Sequence, residues 1–171
     1  MRGARIAGLL IRQARLRRDW SQDGLCLGIC TPSYLSKIEQ GKAEPSPEVT
    51  ELLLRRLGLV WIPEPEDLKP CWNALLSGSP GFFLCYEQLV LPQQERLACS
   101  PLAADILLLA AFYTDTMQPL SEEWEPFLST RQLALQRGLQ GRWEEAVRLE
   151  PLPLPVMKGL IVRNFNWWLG Q

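Results

Sequence analysis

The residues from Cys30 to Gly41 gather the side chains of this chain best suited to chemistry at a polyanion surface. Ser33 and Lys37 stand four positions apart, so on a helix they share one face. The first offers a hydroxyl that donates and accepts, the second an ammonium with three donors. Such groups bond phosphate oxygens and the donor and acceptor atoms on base edges. Thr31 is a good N-cap, and Pro32 fits the first helical turn, where a missing N–H costs nothing. Gly41 supplies a C-terminal stop. Leu35 and Ile38, three apart, point inward and leave Ser33, Tyr34, Ser36 and Lys37 outside. The spacing therefore predicts a helix from about Pro32 to Gln40 that presents short polar and basic groups to a nucleic-acid groove.

Flanking segments carry the patterns needed to hold that helix. Ala7, Leu10, Ile11 and Ala14 recur at i, i+3, i+4 and i+7, which predicts an amphipathic helix from about Ala4 to Arg18. Ser21 caps a short second helix ending near Gly28, and Trp20 is expected to pack the corner between the two. Pro45, Ser46 and Pro47 open a fourth helix, whose apolar face is read as Val49, Leu52, Leu53 and Leu57, with Gly58 as its end. Three prolines and an acidic cluster mark residues 61–70 as a linker, with Trp61 and Ile62 apolar enough to dock. Helical patterns between Pro/Gly breaks follow at roughly Leu68–Leu76, Phe82–Leu91, Pro101–Thr114, Ser121–Leu139, Trp143–Leu149 and Pro155–Leu169. No segment sustains period-2 alternation, so the fold class is all-α. The expected division is 1–60, a linker at 61–70, and a helical body at 71–171.

Composition narrows the chemistry. The 171 residues are 47% hydrophobic and 22% charged, as in a soluble globular protein. Residues 1–60 hold ten Lys/Arg and six acids, a net +4, so the other 111 carry −5 of the total of −1. A basic head on an acidic body suits a reader of polyanions joined to something that does not touch them. With no histidine, the chain lacks the commonest general base and zinc ligand. No phosphate loop or nucleophile–base pairing stands out, so no enzymatic activity and no cofactor are expected. The five cysteines (Cys26, Cys30, Cys71, Cys85 and Cys99) form no CxxC pair and read as reduced, buried thiols, with redox sensing as the other reading. The longest apolar run, Ile106 to Tyr113, falls short of the ~18–20 residues of a membrane span, and no secretory signal is read at the start. Both point to a cytoplasmic protein.

Gly8, Ile11, Arg12, Arg15, Ser21, Gln22, Leu25, Tyr34 through Glu39, Gly41, Pro45, Ser46 and Leu57 through Leu59 together resemble the Cro/repressor-type (Xre) DNA-binding domain. The likeness covers about a third of the chain. The turn Gly28-Ile29-Cys30 is one residue shorter than that family's usual turn. In this it is similar to peptide-pheromone-responsive regulators of the Rgg/PlcR type, which carry helical-repeat sensor domains. The resemblance implies an N-terminal helix-turn-helix domain of four to five helices. Behind it would come a helical-hairpin domain, a degenerate tetratricopeptide-like array if a repeat at all. Leu135 to Leu149 is similar to the turn and second helix of such a hairpin, with Gly141 turning, Trp143 packing and Ala146 permitting close approach.

The resemblance also implies roles. Gln22 would bond a DNA phosphate and brace the recognition helix. Ser33 and Lys37 would sample base edges, Pro32 would offer apolar contact, and Thr31, Gln40 and Lys42 would position the backbone. Tyr34 stays open between a phosphate bond and packing on the first helix. Arg15 and Glu39 would form a buried structural ion pair rather than touch DNA. The implied protein is a sequence-specific transcriptional regulator, dimeric on double-stranded DNA, with a short peptide as its possible effector and Asn164 and Asn166 beside Arg163 as candidate peptide contacts. The alternatives are an antitoxin or phage-type repressor whose body binds a partner protein, and a helical-repeat interaction scaffold.

Overall fold

The computed structural model describes residues 2–114, 120–153 and 156–161, and among them there is no strand. The chain is all-helical, in agreement with the absence of period-2 alternation. It forms two compact units, one of the residues up to Pro65 together with Glu95–Ala103, the other of Glu66–Gln94 together with the described residues from Ala104 on. None of the helices among the described residues is long and apolar enough to cross a membrane.

The first unit begins with α1 (Arg2–Leu16), α2 (Gln22–Cys26), α3 (Pro32–Glu39) and α4 (Pro47–Arg56). Each of the three later helices starts where a hydroxyl satisfies an orphan N–H. Ser21, Thr31 and Ser46 accept from the backbone N–H of Gly24, Tyr34 and Val49, respectively. Their apolar faces meet in one core of Ile11, Ala14, Leu25, Leu35, Ile38, Leu53, Leu54 and Leu57. Two expectations are corrected here. Leu52 is exposed and Leu54 takes the buried position, because the face of α4 turned to α1 and α2 is set a residue further round the helix. Trp20 is 39% exposed rather than packed in the corner. Asp19 adopts a left-handed φ of 52° beside it, and the Trp20 carbonyl, not its ring, is engaged by Arg15. Over residues 61–70, read as a linker, Trp61 packs partly buried on this core and the Ile62 N–H bonds the Cys99 carbonyl at 3.0 Å.

The second unit contains α5 (Lys69–Leu76) and α6 (Gly81–Cys85), which runs on into a π-helical turn at Tyr86–Val90 and a 3-10 turn at Leu91–Gln93. Next, α7 (Gln94–Leu97) starts at the last residue of this segment and continues in the first unit, and the second unit resumes in α8 (Ala103–Tyr113), followed by α9 (Thr130–Leu139) and α10 (Trp143–Leu149). Residues 156–161 are helical as well, and the rest of the helix expected to Leu169 lies outside the described residues, with Asn164, Asn166, Trp167 and Trp168. Tyr86 is fully buried and stacks on Tyr113 with centroids 4.3 Å apart, and Phe82 meets Phe112 edge-on at 5.4 Å. Asp105 Oδ1 accepts from Trp72 Nε1 and Gln132 Nε2, both at 2.9 Å.

The helix expected over Ser121–Leu139 is broken. A 3-10 turn occupies Glu122–Phe127 with Pro126 inside it, Leu128 and Ser129 are extended, and α9 starts afresh. Proline disrupts the helical ladder, and Ser129 with Gln132 forms a reciprocal capping box that nucleates the new helix. Gly141, at φ 74°, turns α9 into α10, and Ala146 is fully buried where the two pack.

Candidate nucleic-acid interface

The shape of α3 follows from its two ends. Thr31 Oγ1 accepts from the Tyr34 N–H at 3.2 Å, and Pro32 occupies the first turn, where its lost donor is harmless. At the other end Gly41, at φ 67°, donates to the Ile38 carbonyl, and the Lys42 N–H closes back on the Lys37 carbonyl at 2.8 Å. That six-to-one closure satisfies the carbonyls a helix end otherwise leaves bare. Leu35 and Ile38 are fully buried, while Thr31, Pro32, Ser33, Lys37, Gln40 and Lys42 are exposed. The outer face of α3 is thus a continuous polar and basic ridge on a rigid short helix.

Rigidity comes from a buried polar cluster behind the C-terminal turn. Arg15 on α1 grips Glu39 with both prongs, Nε to Oε1 at 2.7 Å and Nη2 to Oε2 at 2.8 Å. Its remaining Nη1 donates to the Trp20 carbonyl at 2.7 Å. Gln22 Nε2 donates to Glu39 Oε2 at 2.8 Å. A planar guanidinium matched to a carboxylate fixes angle as well as distance, so α1, the start of α2 and the end of α3 are held in one geometry. The bond to Glu39 raises the Arg15 pKa above its ordinary value, against the opposing effect of burial. Beside this cluster α1 crosses α3 at Gly8, where an added Cβ would overlap the Ile38 carbonyl oxygen and lie 2.9 Å from its carbon. Only glycine permits that approach.

The structure distributes the sequence-derived residues unevenly. Ser33 and Lys37 stand together on the exposed face. Gln40 lies beside them, its side-chain amide donating to Ser36 Oγ at 3.0 Å. Gln22 is half-buried and directs its amide inward to Glu39. Tyr34 packs partly buried on the core that includes Ile11 and Ala14 of α1, and its hydroxyl donates to the Glu44 carbonyl at 3.1 Å, pinning the loop after α3. One residue with a clear structural task went unnoticed in the sequence. Arg56, at the end of α4, donates through Nη1 to the carbonyls of Leu25 at 2.8 Å and Leu27 at 2.6 Å. It satisfies carbonyls at the end of α2 and so helps hold the turn between α2 and α3. A basic residue in a last helical turn was the available signal, but its target is 29 to 31 positions away.

Two short helices, each N-capped by a hydroxyl, are joined by a tight turn through Gly28, at φ 73°, and the second is buried on one side and polar on the other. Residues 11–60 match the helix-turn-helix family. The chain therefore carries a Cro/C1-type helix-turn-helix domain, and that supports a DNA-binding regulator. The match begins inside α1 and ends just past α4, so it contains Arg15, Gln22, the whole of α3 and Arg56. Neither curated proteins nor solved structures give a match to the chain.

Proposed function

We propose that this protein is a sequence-specific DNA-binding transcriptional regulator in which α3 lies in the major groove. The observation that carries the reading is the exposed Ser33–Lys37 face on a helix whose opposite side is locked by Arg15, Gln22 and Glu39. Lys37 and Ser33 sample base edges, with Lys37 suited to guanine O6 and N7. Pro32 offers apolar contact to a thymine methyl. Thr31, Gln40 and Lys42 border the helix and hold phosphates. Gln22 serves chiefly to brace α3 through Glu39, and Tyr34 to fix the following loop.

One reader helix touches only a few base pairs, so affinity and specificity require two copies on half-sites about one helical turn apart. We therefore take the working form as a homodimer in the cytoplasm. Residues 1–60 read DNA, while the acidic helical body from 71 on, tetratricopeptide-like in its α9–α10 hairpin, provides dimerisation and the response to an effector such as a short peptide. The test is selection of bound duplexes from a random pool, followed by titration at several salt concentrations. An enriched motif and a steep fall of log K with log salt are expected. Lys37→Ala should flatten the base preference, and Lys42→Ala should reduce the salt slope by about 1 while leaving the motif intact. No enriched motif, or a flat salt response, overturns the reading.

A further inference from the structure

Among the five thiols of the chain, Cys71 on α5 and Cys85 at the end of α6 stand apart, because their sulfurs are 2.9 Å from one another. A covalent S–S bond is ~2.05 Å, so less than about 1 Å of closure separates the two thiols from a bond. The helices that carry them are joined by the short turn at 77–80, where Gly78 has a φ of 66° and the Ser79 N–H bonds the Ala74 carbonyl at 3.0 Å. The two sulfurs meet because a tight helical hairpin brings them together, across a separation of 14 residues. The remaining thiols are placed differently. Cys26 donates its S–H to the Asp23 carbonyl at 3.7 Å, Cys30 is partly buried against the first unit's core near Cys26, and Cys99 is buried in that unit as well.

We propose that Cys71 and Cys85 form a reversible dithiol that low-molecular-weight disulfides convert to an intramolecular disulfide. Burial divides the labour between them. Cys85 is partly exposed and Cys71 is buried, so an oxidant in solution meets Cys85 first. The Cys85 thiolate attacks one sulfur of the small disulfide, forming a mixed disulfide and releasing one small thiol. Cys71 then attacks the Cys85 sulfur of that mixed disulfide, its proton passing to the departing small thiolate, which leaves as the second small thiol. In balance, two protein thiols are oxidised, one small disulfide is reduced, and one S–S bond is exchanged for another. Burial, and then the bond to Cys85, push the Cys71 thiol up to about 12, which suppresses its reaction with anything in solution. Its partner is already in contact, and that contact makes the second step possible. The product ties α5 to α6 and restricts the unfolded chain across that loop.

The experiment uses the full chain and glutathione disulfide as the oxidant. Thiols are titrated after denaturation, and the peptides are mapped without reduction. The expected result is a fall from five titratable thiols to three, a Cys71–Cys85 cross-linked peptide, a mass lower by two hydrogens, and recovery of five thiols on reduction. Cys71→Ser should stop at glutathione held on Cys85, whereas Cys85→Ser should leave Cys71 unmodified. Five surviving thiols, glutathione retained on Cys85 in the unaltered protein, or a cross-link between other cysteines overturns the proposal. If far-UV circular dichroism shows that a variant is unfolded, the map of the unaltered protein decides alone. None of these readouts involves DNA, so the outcome is independent of the function proposed above.

Discussion

Glu39→Ala tests how the reader helix is held. The substitution leaves the guanidinium of Arg15, a residue 9% exposed, with only the Trp20 carbonyl, and deprives the Gln22 amide of its acceptor. Removing one partner of a buried pair typically costs about 3–5 kcal/mol, because the other charge remains desolvated. With a urea slope of about 2 kcal/mol/M, the midpoint of the first unit should fall by about 1.5–2.5 M. Domains are stable by only about 5–15 kcal/mol, so this is a large fraction of the total. Lys37→Ala, on the exposed face of the same helix, should stay within about 0.5 kcal/mol of the unaltered protein. Replacing both partners by apolar residues, Arg15→Met with Glu39→Leu, should recover much of the loss, since neither charge is then stranded. Urea denaturation followed by far-UV circular dichroism measures all three. The reasoning fails if Glu39→Ala costs under about 1 kcal/mol, if Lys37→Ala costs as much, or if the apolar pair is no better than the single variant.

Gly8→Ala should destabilise the first unit by about 1–3 kcal/mol or more, because the new methyl group overlaps the Ile38 carbonyl, and a backbone group cannot rotate away; a thermal melt no lower than that of the unaltered protein would refute this. In the second unit Arg137 Nη1 bonds Glu125 Oε1 at 2.7 Å and holds that carboxyl below its ordinary value of 4.5. A depressed carboxyl contributes stability that is present above pH 4.5 and lost as pH falls through the folded value. Thermal melts between pH 7 and pH 3 should therefore show Glu125→Gln less stable than the unaltered protein at neutral pH, with the difference closing under acid. A difference independent of pH would assign the effect to packing instead.

Local patterns were legible where the physics is local. Caps at Ser21, Thr31 and Ser46, the stop at Gly41, and the split of α3 into buried Leu35 and Ile38 against exposed Ser33 and Lys37 follow from hydroxyl-to-N–H bonds and helical period. The capping box of Ser129 and Gln132 was equally local, yet the helical run from Ser121 to Leu139 obscured it. Leu52 and Leu54 exchanged places because a run of three leucines fits more than one face, and only neighbouring helices choose among them. Trp20 was misplaced for a related reason, since a large apolar side chain says nothing of whether its backbone turns it outward.

Sequence alone determined that this chain is helical, that its net positive charge lies in the first sixty residues, and which short helix carries polar groups outward. Those properties depend on hydrogen bonds and periodicities spanning a few residues. Tertiary structure alone decided that Gln22 bonds Glu39 and Tyr34 bonds the Glu44 carbonyl, that Arg56 reaches back to α2, that Gly8 is the crossing point of α1 and α3, and that Cys71 meets Cys85. Each of these joins residues ten or more positions apart, where the partner is set by how helices pack rather than by the order of residues along the chain.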